Sequence, residues 1–148
     1  MSSPMGEQEK REVYGMKLIF CIDNKNGMTF SGKRQSSDKN LREWIINYAQ
    51  GSKLRMSIYS AKQFENNASV SADDDYMSKA EENDVCFIED GSYSTDNASE
   101  IVLCKWNRHY PADRFFDTDL KAAGFRRVKS EDIAGTSHEK ITIETYRR

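Results

Sequence analysis

The run EIVLCKWNRHYPADRFFD, residues 100–117, decides how the rest of the chain is read. It opens on an apolar stretch without alternation, as a strand covered on both faces requires. It then turns basic and aromatic (KWNRHY, 105–110), meets Pro111 and ends in an acidic, aromatic corner. Strand alternation through this part would put Lys105, Asn107 and His109 on one face and Trp106, Arg108 and Tyr110 on the other. Cations beside an aromatic platform suit a nucleic-acid strand, so Lys105, Arg108 and His109 are the nucleic-acid candidates. The whole-chain charge weighs against that use: 22 Lys and Arg face 24 Asp and Glu, for a net charge of −2. The reading adopted is a central strand and its exit turn.

Working outward, the neighbouring segments fit a sheet. MKLIFCID (16–23) and DVCFIED (84–90) are further unbroken apolar strands, and KLRMSIY (53–59) is a shorter one. SDKNLREWIINYAQG (37–51) predicts a helix with Ser37 or Asp38 as its cap, Leu41, Trp44, Ile45 and Tyr48 on one face, and Gly51 as its stop. SAKQFEN (60–66) predicts a short helix, ASVSA (68–72) a weak strand and DDDYMSKAEEN (73–83) an acidic helix. TFSGKRQSS (29–37) reads as a polar loop. RRVKSEDIAG (126–135) and the alternating HEKITIETYRR (138–148) close the chain as an antiparallel pair. Residues 1–15 read as a polar tail and residues 16–148 as one domain.

Composition narrows the class. Aromatic residues at 11% argue for a packed core despite a mean hydropathy of −0.81. Cys21, Cys86 and Cys104 each lie in an apolar run without CxxC spacing, so they read as buried reduced thiols of a cytoplasmic protein. No apolar run reaches membrane-span length. Asp73–Asp75 lacks the ligand spacing of a calcium loop, and no metal site is expected. Lys33 and Arg34 beside a capped helix start suggest a small anionic ligand there. His138 reads as a hydrogen-bonded structural histidine, with acid–base work as the alternative.

In order and over most of its length, the chain resembles dihydrofolate reductase. The matching segments are MKLIFCID with NGM (26–28), DKNLREWIINYAQGSKLRMSIYSAKQFE (38–65), DVCFIED, the opening run with Asp113 and Phe116, and SEDIAGTSHEKITIETYRR (130–148) with its Ser137–His138 pair. The resemblance implies an α/β fold: a mixed, mainly parallel sheet with helices on both faces and an antiparallel C-terminal hairpin. It places a cleft near Asp23, Met28, Asp38, Asn40, Ser60, Glu89 and Cys104. The family's catalytic carboxylate falls at Asn40 or Asp38, and its hydroxyl partner at Cys104.

The sequence departs from the family's cofactor grip. Glu89 and Asp90, followed by Gly91, stand in place of the diglycine that lets backbone approach phosphate. Ile58 replaces a basic residue, Ser60 keeps a hydroxyl, and the tryptophan-proline of the active-site loop is missing. The expectation is therefore a protein of this fold that has lost NADPH-dependent reduction, needs no cofactor, and binds a small anionic ligand or a protein partner. Its ligand contacts would come from Asp23, Met28, Lys33, Arg34, Ser60, Glu89 and Asp90. The first alternative is an NADPH-dependent pteridine or folate reductase with an altered grip. The second is an RNA-binding or RNA-cleaving protein. CIDNKNGM, RQSSDK, YSAKQF and GTSHEKIT resemble motifs of small Firmicute-type bacterial proteins named ribonuclease Z, yet two histidines cannot build a two-zinc hydrolase.

Overall fold

The computed structural model describes residues 15–65, 67–90 and 92–148; the expected tail, apart from Gly15, and Gly91 lie outside the described residues. The elements run β1 (Met16–Ile22), β2 (Gly27–Phe30), β3 (Lys33–Arg34), α1 (Lys39–Tyr48), β4 (Leu54–Met56) and α2 (Ile58–Ala61) with a 3₁₀ turn at Lys62–Phe64. They continue with β5 (Val70–Ala72), α3 (Tyr76–Lys79), β6 (Val85–Ile88), β7 (Ala98–Lys105), β8 (Arg114–Phe115), β9 (Arg126–Ile133) and β10 (Ile141–Arg147). Seven strands form one sheet in the order β5-β4-β6-β1-β7-β10-β9. The first five are parallel, and β10 runs antiparallel to both β7 and β9.

The unbroken apolar runs make sense here, because β1, β6 and β7 are central strands with a core on each side. Ile19, Phe87, Val102 and Cys104 face one cluster, which α1 covers through Leu41 and Ile45 and the 3₁₀ turn through Phe64. Leu18, Phe20, Ile22, Ile88, Ile101 and Leu103 face the other, covered by Tyr76 of α3 and by Phe116 and Phe125. Helices thus lie on both faces, although α3 is a single turn. Each fully buried Leu, Ile or Phe contributes about 1.5–3 kcal/mol. Asp38 caps α1 by accepting from the amides of Asn40 and Leu41, and Gly51 stops the chain at φ +86°.

Three local readings change. TFSGKRQSS is a hairpin and its exit, not a loop throughout: Ser31 (φ 52°) and Gly32 (φ 73°) form the two-residue turn that pairs Thr29 with Arg34 and Phe30 with Lys33. With β8 this hairpin makes a second, three-stranded antiparallel sheet. The acidic helix shrinks to Tyr76–Lys79, because the Asp73 carboxylate accepts from the amide of Asp75 and the Asp74 carboxylate from the amide of Ile58. KWNRHY does not continue as a strand past Lys105. Asn107 sits at φ 61° and Trp106 is buried, so the face alternation expected across 105–110 does not arise. Among the described residues no helix is long and apolar enough to cross a membrane.

Candidate functional site

Strands β1, β4, β6 and β7 are parallel, so the segments leaving their C-terminal ends converge on one edge of the sheet. That edge is where open α/β sheets build clefts. Glu89 leaves β6 there with 8% of its surface exposed, and three hydrogen bonds from two residues satisfy it. Arg34 forks onto it, Nε to Oε2 and Nη2 to Oε1, both at 2.9 Å. Ser60 Oγ donates to Oε1 at 2.8 Å. The guanidinium also lies over the Tyr59 ring at 4.4 Å, and the Arg34 amide donates to the Tyr59 hydroxyl. Burial disfavours the guanidinium charge, but Glu89 outweighs it and raises the Arg34 pKa. The β2–β3 hairpin is the part that carries Arg34 across the sheet edge to this partner.

Asp90 takes a different role. It accepts from Arg114 Nε at 3.1 Å and faces Thr29 Oγ1 at 3.4 Å. Two adjoining cavities, of about 700 and 610 Å³, share Asp90 and Gly32 in their walls. The first adds Asp113, Arg114, Phe115 and Asp117; the second adds Ser57, Tyr59, Asp74, Asp75, Tyr76 and Met77. Each lining carries three carboxylates, and Arg114 is the one cation among the described lining residues.

On the α1 side, Asp38 is a buried junction. Its Oδ1 accepts from the amides of Asn40, Leu41 and Thr136, and Oδ2 from the Ser137 amide at 2.9 Å. His138 Nδ1 lies 3.1 Å from Oδ2, and His138 Nε2 lies 3.0 Å from Ser36 Oγ and 3.1 Å from the Tyr110 hydroxyl. The imidazole stacks on Trp106, centroids 4.6 Å apart. Burial pushes the Asp38 carboxyl up, but the bonds from Thr136, Ser137, His138 and Leu41 outweigh it and hold it well below the usual range. His138 is thus hydrogen-bonded and buried, as its sequence context suggests.

The other expected residues disperse. Asp23 is a buried turn anchor, accepting from the amides of Lys25, Gly27 and Tyr110 and from Gln35 Nε2; these outweigh burial and lower its pKa. Met28 is core, and Lys33 is exposed on β3. Asn40 Nδ2 donates to the Ala134 carbonyl. Cys104 is fully buried opposite Cys21 in the β1–β7 register, and the thiol–thiol hydrogen bond followed by burial raises the Cys21 pKa. Lys105 pairs with Glu144, Arg108 reaches the Ser137 carbonyl, and His109 lies 3.8 Å from Asp23; no common face gathers them. Sequence reasoning missed Ser36, Tyr59, Tyr110 and Arg114. Only the Ser31–Gly32 turn signalled any of this, since it implies a hairpin that would carry Arg34 inward.

No protein-family model matches this chain, and no curated protein matches it. Among solved structures, it is similar to dihydrofolate reductase from Enterococcus faecalis complexed with NADP(H) and RAB-propyl. The identity is 13%, the alignment covers 93% of this chain and 98% of that one, and the TM-score is 0.64. At that identity the likeness is one of fold. The chain has a dihydrofolate reductase-like fold, as its sequence resemblance implied.

Proposed function

We propose that this dihydrofolate reductase-fold protein does not reduce a substrate with NADPH, and instead binds a small molecule in the cleft beside Asp90. The observation that carries the reading is the Arg34–Glu89 fork, held by Ser60 and Tyr59 where the resemblance places the cofactor diglycine. Glycine there would open backbone to a phosphate. Here a side-chain bridge stands in the way, and removing one partner of such a buried pair costs about 3–5 kcal/mol. A dinucleotide would have to break the fork and then face Asp90.

The cleft's charge bears on the ligand. Arg34 is neutralised by Glu89, and the start of α1 is occupied by the Asp38 carboxylate, so the anion site expected from Lys33, Arg34 and the helix start loses its main donors. Asp74, Asp75, Asp90, Asp113 and Asp117 line the two cavities against Arg114 alone. This lining supports a cationic or hydroxyl-rich ligand over the small anion. A protein partner is the second reading, favoured by Phe30 and Phe115, 49% and 45% exposed on neighbouring strands of the small sheet. The reductase reading keeps NGM (26–28), Asp38, Ser60 and the fold in its favour. The RNA reading loses the grouping of Lys105, Arg108 and His109 that motivated it, since these three engage Glu144, the Ser137 carbonyl and Asp23 separately.

A thermal-shift titration tests the proposal, with NADPH and adenosine 2′,5′-bisphosphate in one arm and spermidine in the other. Linkage gives about 2.7 kcal/mol of stabilisation at 100 times the dissociation constant. The expected result is no shift with millimolar NADPH and a saturable shift with the cation that Asp90→Asn weakens. A saturable NADPH shift, with loss of absorbance at 340 nm on adding dihydrofolate, would overturn it.

A further inference from the structure

The junction on the α1 side holds a nucleophile, a base and an orienting carboxylate in hydrogen-bonded series. Ser36 Oγ is 3.0 Å from His138 Nε2, and His138 Nδ1 is 3.1 Å from Asp38 Oδ2. We propose that Ser36, His138 and Asp38 form an acyl-transfer site that hydrolyses small carboxylic esters. The proposal is independent of the ligand cleft beside Asp90.

The surroundings fix each role. Asp38 receives bonds from the Thr136 and Ser137 amides, so its oxygens act as acceptors and place the proton of the imidazole on Nδ1. The Nε2 lone pair then faces the Ser36 and Tyr110 hydroxyls. Stacking on Trp106 sets the ring plane, and the His138 and Asp38 side chains are 1% and 0% exposed. Ser36 is only half-buried and leads the series toward solvent. Gly135 lets the hairpin loop approach this closely: a Cβ there would lie 2.5 Å from Asp38 Oδ2 and 2.6 Å from the His138 carbonyl oxygen. This is the arrangement by which a serine becomes nucleophilic, recognised by geometry rather than by chain order.

The step balances without a cofactor. Ser36 Oγ attacks the ester carbonyl carbon as its proton passes to His138 Nε2, and Asp38 stabilises the imidazolium. The tetrahedral adduct collapses, the C–O bond to the alcohol breaks, and His138 returns the proton to the departing alkoxide. Water then attacks the acyl-serine with His138 as base, releasing the carboxylic acid and restoring Ser36. Tyr110 completes the site. Its hydroxyl and Ser36 Oγ both lie about 3 Å from the same nitrogen, which makes the phenol the donor assigned to the developing oxyanion. A lone phenol as oxyanion donor suits esters with good leaving groups, not amides.

The test treats the full-length protein with a fluorophosphonate and maps the adduct by peptide mass, alongside p-nitrophenyl acetate hydrolysis. The expected adduct is on Ser36, with turnover that rises with pH through one ionisation and then levels. Ser36→Ala is expected to lose the adduct and at least 100-fold in turnover at unchanged melting temperature. Tyr110→Phe is expected to keep the adduct and slow hydrolysis about 100-fold. An adduct elsewhere, no adduct, or Ser36→Ala turnover equal to the parent overturns the proposal.

Discussion

Replacing Arg34 by alanine should destabilise the protein by about 3 kcal/mol. The substitution removes a fork of two charge-assisted hydrogen bonds onto a carboxylate whose side chain is 6% exposed. Each such bond contributes about 1.5–3 kcal/mol, and a buried pair stripped of one partner costs about 3–5 kcal/mol. The lower end applies, because the Arg34 side chain is 22% exposed and Ser60 still donates to Glu89. For a domain of this size that is a fall of roughly 6–12 °C in melting temperature. Urea denaturation at constant m measures the same quantity. The double variant Arg34→Ala/Glu89→Ala should cost about 2 kcal/mol less than the two single changes added together, since they remove one shared interaction. A single-variant cost below about 1 kcal/mol, or additivity within about 0.5 kcal/mol, would refute the bridge as a structural clamp.

Other expectations are independent of the bridge. Asp38, with its pKa held below the ordinary range, stabilises fully above the unfolded carboxylate pKa of about 3.9, and that contribution fades as pH falls toward the folded value. Asp38→Asn should therefore cost more at pH 7 than the ~1 kcal/mol of a lost cap and flatten the stability slope below about pH 4; an unchanged acid slope would contradict this. Burial pushes the Cys86 thiol up to about 12, Cys21 is also raised, and Cys104 is fully buried, so Ellman's reagent at pH 8 should leave the native thiols intact and titrate all three cysteines only after unfolding. Rapid native labelling would show that the core opens. Phe20 is fully buried between Tyr93 and Phe116, with centroids at 4.8 and 4.7 Å, so Phe20→Ala should cost about 3–5 kcal/mol by denaturant titration, and a cost under about 1 kcal/mol would argue against that packing.

The sheet was legible because its evidence is local. MKLIFCID, DVCFIED and EIVLC are apolar on both faces, and α1 carries a cap, an apolar stripe and a stop within fifteen residues. The site was less legible because its evidence is distant. Asp38 and Asp23 were identifiable as carboxylates with chemistry to offer, but the sequence could not show that Ser137 and His138 on the terminal hairpin engage Asp38, or that Tyr110 holds Asp23. Glu89 was read as a ligand contact in the diglycine position, not as half of an ion pair, because its counter-ion arrives on a hairpin whose strands, TF and KR, look like loop. KWNRHY misled for a related reason. Its composition suits a surface, while Trp106 turns inward to stack on a histidine 32 positions later.

The strand order also bears on how fast the sheet can close. β1 pairs with β7 from Met16 opposite Ala98, and β10 docks on the far side of β7, so the middle of the sheet joins distant parts of the chain. Such non-local closures are slow, on the order of milliseconds to seconds, whereas a hairpin forms in about 1–10 μs. In the large sheet β9 and β10 are the adjacent pair joined by a short connection, so they can assemble early and wait. The loop joining them carries His138 to Asp38. The junction beneath α1 therefore closes at the pace of the slowest strand pairing, and any chemistry it supports switches on only when the last interior strand is in place.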